Sequence, residues 1–469
     1  MNIIGRLRRL SPFRIIILSF LVLILCGTGL LMLPWATANG EGASLADALF
    51  TAVSASCVTG LTAVDTASYW TLFGQLVILA MIQIGGFGVI TIAVSLAALS
   101  GQRIGLMQRS LSKEAVSAPQ LGGIVPLLYF ILRLTFFIEF LGALFLAPSF
   151  CQKVGPVRGI YFAVFHSVSS FCNAGFDLFG NSLMDFAADP VVNITVMLLI
   201  IAGGLGFTTW ADIRLNRRNF RAYSLQSKIA LTMTAVLILI PALFFFFFEL
   251  DPGVSTGEHF LISLFQSVTT RTAGYNTIDI KDFNETGRAA LIVLMLIGGS
   301  PGSTAGGIKT TTAFTLFAIM IATFRLKEEP TCFSRRLSPE TQRHAVTILM
   351  MYLLLFASGS VLLNLIDDIR LIDSAFETAS ALGTVGLSIG VTEDLGPLSK
   401  CVMMLLMFFG RIGGLTVIFA AHAHGRQESG RRPEERITIG SEEHHEIHPA
   451  HRPRPLRPLH CQEAARHAA

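Results

Sequence analysis

Apolar runs long enough to cross a bilayer recur along the chain, at residues 15–33, 231–248 and, with its flanks, 402–409. A stretch of about eighteen or more such residues reads as a helix in lipid. Lipid offers no partner to a free backbone N–H or C=O, so each crossing must satisfy its own backbone. Only 14% of the 469 residues are charged, against roughly 25% in an average soluble domain, and the mean hydropathy is +0.62. A secreted or cytosolic globular fold is excluded. The first run follows a basic flank, MNIIGRLRRLSPFR. It is longer than the ~7–15-residue core of a secretory signal and lacks a convincing A-x-A site, so it reads as a retained first transmembrane helix.

Basic residues set the expected orientation. Segments 1–14, 100–118, 210–228 and 325–343 carry four, three, five and five Lys or Arg, while the intervening outer segments carry six in all. The positive-inside rule then places the N-terminus in the cytoplasm. The outer segments are acidic, with Asp47, Asp65, Asp177, Asp185 and Asp279 among others, and a negative outer face attracts cations.

The same series of features occurs four times. Each interval opens with an apolar helix, near 14–34, 124–147, 228–249 and 344–366. A stretch too short to span follows: LADALFTAVSAS, GIYFAVFHSVSS, EHFLISLFQSVTT and LIDSAFETASAL. Next comes a compact turn that ends in glycine. The four turns are Cys57, Val58, Thr59, Gly60; Cys172, Asn173, Ala174, Gly175; Arg271, Thr272, Ala273, Gly274; and Gly383, Thr384, Val385, Gly386. A second long helix is broken by a glycine pair 24 to 28 residues after the turn glycine: GGFG at 85–88, GGLG at 203–206, GGSPGSTAGG at 298–307 and GRIGG at 410–414. Glycine weakens a helix, so four breaks in one register require a cause.

The expected fold is therefore an all-α integral membrane protein. It has four tandem helix–pore loop–helix repeats, with eight spanning helices and four re-entrant half-helices around a pseudo-fourfold pore. The boundaries fall at 1–12 (cytoplasmic N-terminus), 13–99, 100–209, 210–324 and 325–424 (the repeats, the last three with their preceding cytoplasmic loops) and 425–469 (a cytoplasmic tail whose charge and proline content predict disorder). Irregular backbone at membrane depth is tolerated where it lines a water-filled cavity. Four such turns can supply a ring of carbonyl oxygens that replaces an ion's hydration shell. Half-helices ending at the axis also favour a cation there. Arg271 is the one charged turn residue, and its guanidinium is expected to turn away from the axis toward a carboxylate.

This fourfold unit, covering residues 13 to about 421, resembles the Trk/Ktr/HKT superfamily of potassium transporters, specifically the potassium-translocating membrane subunit. Thirteen residues precede the first apolar helix near 14–34, which resembles the shorter Ktr type rather than relatives with two further helices. The resemblance assigns the filter glycines to Gly60, Gly175, Gly274 and Gly386. Glycine rather than serine at position 60 implies a preference for potassium. Only GTVGL at 383–387 is close to the TVGYG of potassium channels, and Cys57 and Cys172 stand where small residues are usual.

The third break holds five glycines, one proline and six hydroxyl residues between 298 and 312, too many breakers for a continuous helix. The resemblance makes Gly298, Gly299, Ser300, Pro301, Gly302, Ser303, Thr304, Ala305, Gly306, Gly307 and Lys309 an intramembrane gating loop beneath the filter. Lys309 is a functional candidate at membrane depth, with snorkelling to the cytoplasmic surface as the alternative. Arg411 corresponds to a pore-facing arginine that opposes cations, or else pairs with a buried carboxylate. Arg133 and Glu139 read as structural partners of other helices, and His166 reads as an interior histidine with its bonds made. Asn173, Asn276 and Asp177 beside the filters are expected to orient loops or attract ions. The seven cysteines lack CxxC spacing and read as small buried thiols. His444 and His448 in the tail are weak metal candidates.

No enzyme constellation stands at membrane depth and no nucleotide loop is present. The expected function is gated, channel-like potassium uptake through the cytoplasmic (inner) membrane, driven by membrane potential, with or without coupling to sodium. Potassium is the substrate, bound at the filter residues alone. No covalent cofactor and no nucleic acid are expected. The resemblance further implies a homodimer, contact with membrane lipid, both termini in the cytoplasm, and a cytosolic ring of nucleotide-binding regulatory subunits docked on 210–228 and 325–343. A sodium-preferring transporter of the same fold and a non-transporting scaffold or sensor are the competing readings.

Overall fold

The computed structural model describes residues 12–94, 106–115, 124–249, 254–327 and 329–416, except 90, 93 and 415. The tail with His444 and His448 lies outside the described residues, as does most of the first cytoplasmic segment. Among the described residues the structure is helical except for turns and one hairpin, β1 (Thr331–Cys332) paired antiparallel with β2 (Arg335–Arg336).

The helices are α1 (Pro12–Leu31), α2 (Leu45–Cys57), α3 (Leu72–Phe87), α4 (Leu106–Ala115), α5 (Ile124–Val154), α6 (Pro156–Phe171), α7 (Pro190–Gly204), α8 (Phe207–Asn216), α9 (Leu225–Phe248), α10 (Thr256–Thr269), α11 (Glu285–Leu296), α12 (Thr310–Phe324), α13 (Pro339–Asp367), α14 (Leu371–Gly383) and α15 (Pro397–Ile412). Their starts follow capping chemistry. Ser44, Ser224, Ser255 and Ser338 each accept the backbone N–H three residues on, which satisfies a donor the helix cannot. Prolines at the first helical position of α6, α7, α13 and α15 give up no bond there.

Four helices, α1, α5 from Val125, α9 and α13, are long and apolar enough to cross a membrane. Their outward faces carry exposed Leu25, Phe140, Phe247 and Leu365, apolar surface that suits lipid. The chain is a multi-pass membrane protein. The second helix of each interval is interrupted near its glycine pair. α3 ends at Gly88 (φ +82°) and α15 at Gly413 (φ +84°). α7 and α8 meet at a 95° bend, and α11 and α12 are separated by residues 297–309. Apolar composition cannot distinguish a span from two shorter helices joined at a glycine.

Each long helix packs on the short one that follows it: α1 on α2, α5 on α6, α9 on α10, α13 on α14. The helix before each break then packs on the short helix of the next repeat: α3 on α6, α7 on α10, α11 on α14 and, closing the circle, α15 on α2. The short helices are consequently enclosed from two sides. In α14 every residue from Asp373 to Gly383 except Ala375 is buried.

Two buried polar groups of the bundle are held by specific partners. Glu139, buried in α5, accepts two bonds from Gln83 Nε2 of α3 at 3.0 and 3.2 Å. Gln83 Oε1 in turn accepts from Cys172 Sγ at 3.6 Å. Replacing Gln83 with leucine leaves this carboxylate without its donor and is expected to destabilise the protein by about 1–3 kcal/mol, read as a lower midpoint of thermal unfolding in detergent. His166 is an interior histidine as expected, with Nδ1 2.8 Å from Phe162 O.

Candidate functional site

The four glycine turns meet at one place. Each short helix ends, and one to three residues later the backbone enters a conformation that disfavours L side chains. Val58, Asn173, Thr272 and Thr384 have φ of +57°, +59°, +68° and +52°, and Gly60, Gly175, Gly274 and Gly386 have +90°, +69°, +78° and +94°. A left-handed non-glycine residue costs roughly 1–2 kcal/mol, so four in one register reflect a geometry the packing enforces. Positive φ recurs at alternate residues of each turn, on either side of Thr59, Ala174, Ala273 and Val385.

The turns touch in cyclic order. A β-carbon on Gly60 would lie 3.1 Å from Gly175 Cα, one on Gly175 3.2 Å from Gly274 Cα, one on Gly274 3.0 Å from Gly386 Cα, and one on Gly386 3.2 Å from Gly60 Cα. In each case the carbonyl oxygen just before the neighbouring glycine, on Ala174, Ala273, Val385 or Thr59, is nearer still. The arrangement is a closed ring of four backbone segments edged by carbonyl oxygens, with glycine required at each crossing.

Hydroxyls on the short helices brace these turns. Ser54 Oγ accepts from Gly60 N and Ser380 Oγ from Gly386 N, both at 3.1 Å. Ser169 Oγ donates to Phe176 O at 3.0 Å and Thr269 Oγ1 to Tyr275 O at 2.7 Å. The recurrence of serine six residues before Gly60, Gly175 and Gly386 is a signal that sequence reasoning could have used. Asn173 Nδ2 donates to Arg271 O at 3.1 Å, joining the second turn to the third. Asn276 joins the same two: its N–H donates to Ser182 Oγ and its carbonyl accepts from Leu183 N. Asp177 Oδ2 accepts from the N–H groups of Phe179, Gly180 and Ser182 and shapes the loop beyond the turn. Cys57 and Cys172 are buried, whereas Cys26 and Cys401 are exposed, against the expectation of buried thiols. Arg271 is buried, but its partner is a hydroxyl and not the expected carboxylate: Nη2 donates to Thr234 Oγ1 at 3.1 Å. The helix facing it, α9, offers hydroxyls on an otherwise apolar surface.

Residues 297–309 lie against one side of the ring. A β-carbon on Gly298 would approach Thr272 Cγ2 at 3.2 Å, and one on Gly306 would approach Thr384 Cβ at 3.0 Å. The loop is pinned to the second break, with Ser300 N donating to Gly204 O at 2.9 Å, Thr304 N to Gly203 O at 3.2 Å and Phe207 N to Gly302 O at 2.8 Å. Thr304 Oγ1 also donates to Phe171 O at 3.1 Å. Lys309 does not snorkel: Nζ turns back to Ala305 O at 2.6 Å and Gly306 O at 3.3 Å. Among the described residues Arg411 pairs with no carboxylate. Its guanidinium reaches three backbone carbonyls, Thr304 O from Nη1, and Gly85 O at 2.5 Å and Gly86 O at 2.8 Å from Nη2. One cation thus ties the loop to the first helix break. Below lies a cavity of about 350 Å³ whose lining includes Phe20, Ser303, Lys309, Tyr352 and Arg411.

A family model described as TrkH, cation transport protein, matches residues 6–430. The potassium/sodium uptake protein NtpJ of Enterococcus hirae is 39% identical over 444 residues, covering 92% of this chain and 98% of that protein. The Ktr system potassium uptake protein B of Bacillus subtilis is 38% identical over 437 residues, covering 92% and 97%. The crystal structure of the potassium transporter TrkH from Vibrio parahaemolyticus matches with a TM-score of 0.69 at 20% identity, over 87% of this chain and 84% of that one.

Proposed function

The chain belongs to the TrkH family of cation transport proteins, membrane ion transporters and not enzymes, and from that premise we propose that it takes up potassium across the cytoplasmic membrane through the ring of four glycine turns. The cyclic contact of Gly60, Gly175, Gly274 and Gly386 carries this reading. The turns act as a selectivity filter in four helix–pore loop–helix repeats, the carbonyls of Thr59, Ala174, Ala273 and Val385 standing in for water around the ion. No charged side chain is needed there, and the ends of α2, α6, α10 and α14 add a favourable potential.

Uptake is driven by the membrane potential. At about 100 mV, inside negative, each ion gains roughly 2.3 kcal/mol, enough for about a fiftyfold accumulation. Residues 298–309 form the gate, and Arg411 is its latch. Both termini lie in the inner cytoplasm, as the basic segments suggest. The protein works as a homodimer on a ring of nucleotide-binding regulatory subunits that dock on 210–228 and 325–343.

The test is rescue of a bacterial strain that lacks its own potassium uptake, grown at low potassium with and without a co-expressed regulatory subunit. The expected result is growth and saturable rubidium uptake that both increase with the subunit. Sodium uptake equal to or above potassium uptake at physiological ratios favours the sodium-preferring alternative, and no flux of either ion favours a scaffold or sensor. Sodium-stimulated potassium uptake would establish coupling between the two ions.

A further inference from the structure

Nine residues before each turn glycine the four short helices carry Thr51, His166, Phe265 and Glu377. Two of these four are ionisable, and both are fully buried. They make the same contact in two different repeats. Leu178 N, three residues beyond Gly175, donates to His166 Nε2 at 3.4 Å, and Ile389 N, three residues beyond Gly386, donates to Glu377 Oε1 at 3.0 Å. Glu377 collects two more donors from the same segment, Ser388 Oγ at 2.7 Å on Oε1 and Thr392 Oγ1 at 2.6 Å on Oε2.

The tautomer of His166 follows from its neighbours. Nδ1 faces the carbonyl oxygen of Phe162 at 2.8 Å, a group that only accepts, so Nδ1 carries the proton and Nε2 is left to accept. The rings of Phe150 and Phe179, at 5.3 and 5.0 Å, hold the imidazole in place. Thr51 Oγ1 has no hydrogen-bond partner among the described residues, and phenylalanine at 265 has no acceptor to offer. In the cyclic order of the glycines, the second and fourth turns stand opposite each other. The backbone beyond the filter is therefore braced from behind by ionisable side chains across one diagonal and not across the other.

We propose that His166 and Glu377 are positioning residues for ion selection, fixing the outer edge of two opposite filter segments and so the spacing of the carbonyl ring. This rests on the reading of that ring as the conducting filter. Neither side chain touches the ion. Each acts through a backbone N–H that has no helix or sheet partner, and discrimination between potassium and sodium depends on where the ring oxygens are held.

The test is rubidium and sodium uptake into proteoliposomes containing the full chain, with KM and maximal rate measured for each ion. Glu377→Ala and His166→Phe are each expected to lower the potassium-over-sodium preference roughly tenfold, the equivalent of one lost buried hydrogen bond, mainly through a higher KM for rubidium. Glu377→Gln, whose amide oxygen still accepts from Ile389 and Ser388, is expected to stay within about threefold of the parent protein. If Glu377→Ala does not reach the membrane, Thr392→Val and Ser388→Ala remove donors while keeping the carboxylate and should lower the preference in the same direction. Variants that insert normally and keep the parent's preference overturn the proposal while leaving potassium uptake intact. A parent protein that carries neither ion overturns the filter reading, and the proposal with it.

Discussion

Gly386→Ser is expected to reduce potassium uptake by roughly a hundredfold, as estimated from two penalties of about 1–2 kcal/mol each. The first is conformational. At φ +94° a serine is held where L residues are strained. The second is steric. Its β-carbon would stand 3.1 Å from the carbonyl carbon of Thr59 and 3.2 Å from Gly60 Cα, backbone atoms that cannot rotate away. The first and fourth segments must then separate, which opens the ring on one side and admits the smaller, better hydrated ion relative to potassium. Rubidium uptake by cells carrying matched amounts of the variant measures the loss. Gly29→Ala is the control, because a β-carbon there meets nothing within 4 Å. Uptake within about threefold of the parent, less than one tenfold step, would remove Gly386 from the conducting path.

Arg411→Gln is expected to produce the second large effect, in the opposite direction. The guanidinium holds Thr304 of the loop and the Gly85 and Gly86 carbonyls of the first break, and hydrogen bonds to a charged group contribute about 1.5–3 kcal/mol each. Glutamine is shorter and cannot reach both sides. Losing one such bond raises the population of displaced loop by roughly ten- to a hundredfold, and it also removes a positive charge from the ion's route. Uptake in the absence of the regulatory subunit is expected to rise toward the level seen with it, while the ratio of potassium to sodium stays nearly constant because the ring is untouched. Lower uptake at unchanged protein amount would mean that Arg411 supports the open arrangement instead of holding the shut one.

The positions of the turn glycines and of the helix breaks were legible in the sequence because both depend on a residue type that only a special backbone demands. Repetition at intervals of 115, 99 and 112 residues then separated them from incidental glycines. The partners of the charged groups were not legible. Arg271 finds Thr234 and Arg411 finds carbonyls of Gly85, Gly86 and Thr304, pairings that depend on which repeats face one another. The angle of a break was not legible either, since nothing in GGLG at 203–206 gives the 95° between α7 and α8. The paired role of His166 and Glu377 was hidden for a related reason. Histidine and glutamate share no chemistry in a sequence comparison, and only their common acceptance of an N–H three residues beyond the glycine makes them equivalent.

The packing of α15 on α2 has a consequence for how the molecule is made. The last segment of the ring rests on the first, and Arg411 reaches a carbonyl 326 residues earlier in the chain. Contacts so distant in sequence form late, and a chain emerging N-terminus first cannot make them until the fourth repeat has been inserted. Three completed repeats hold three-quarters of a ring, with the Thr59 carbonyl facing an unfilled gap. A nascent or prematurely ended chain therefore has no closed ring of glycine turns, and closure of that ring coincides with completion of the polypeptide.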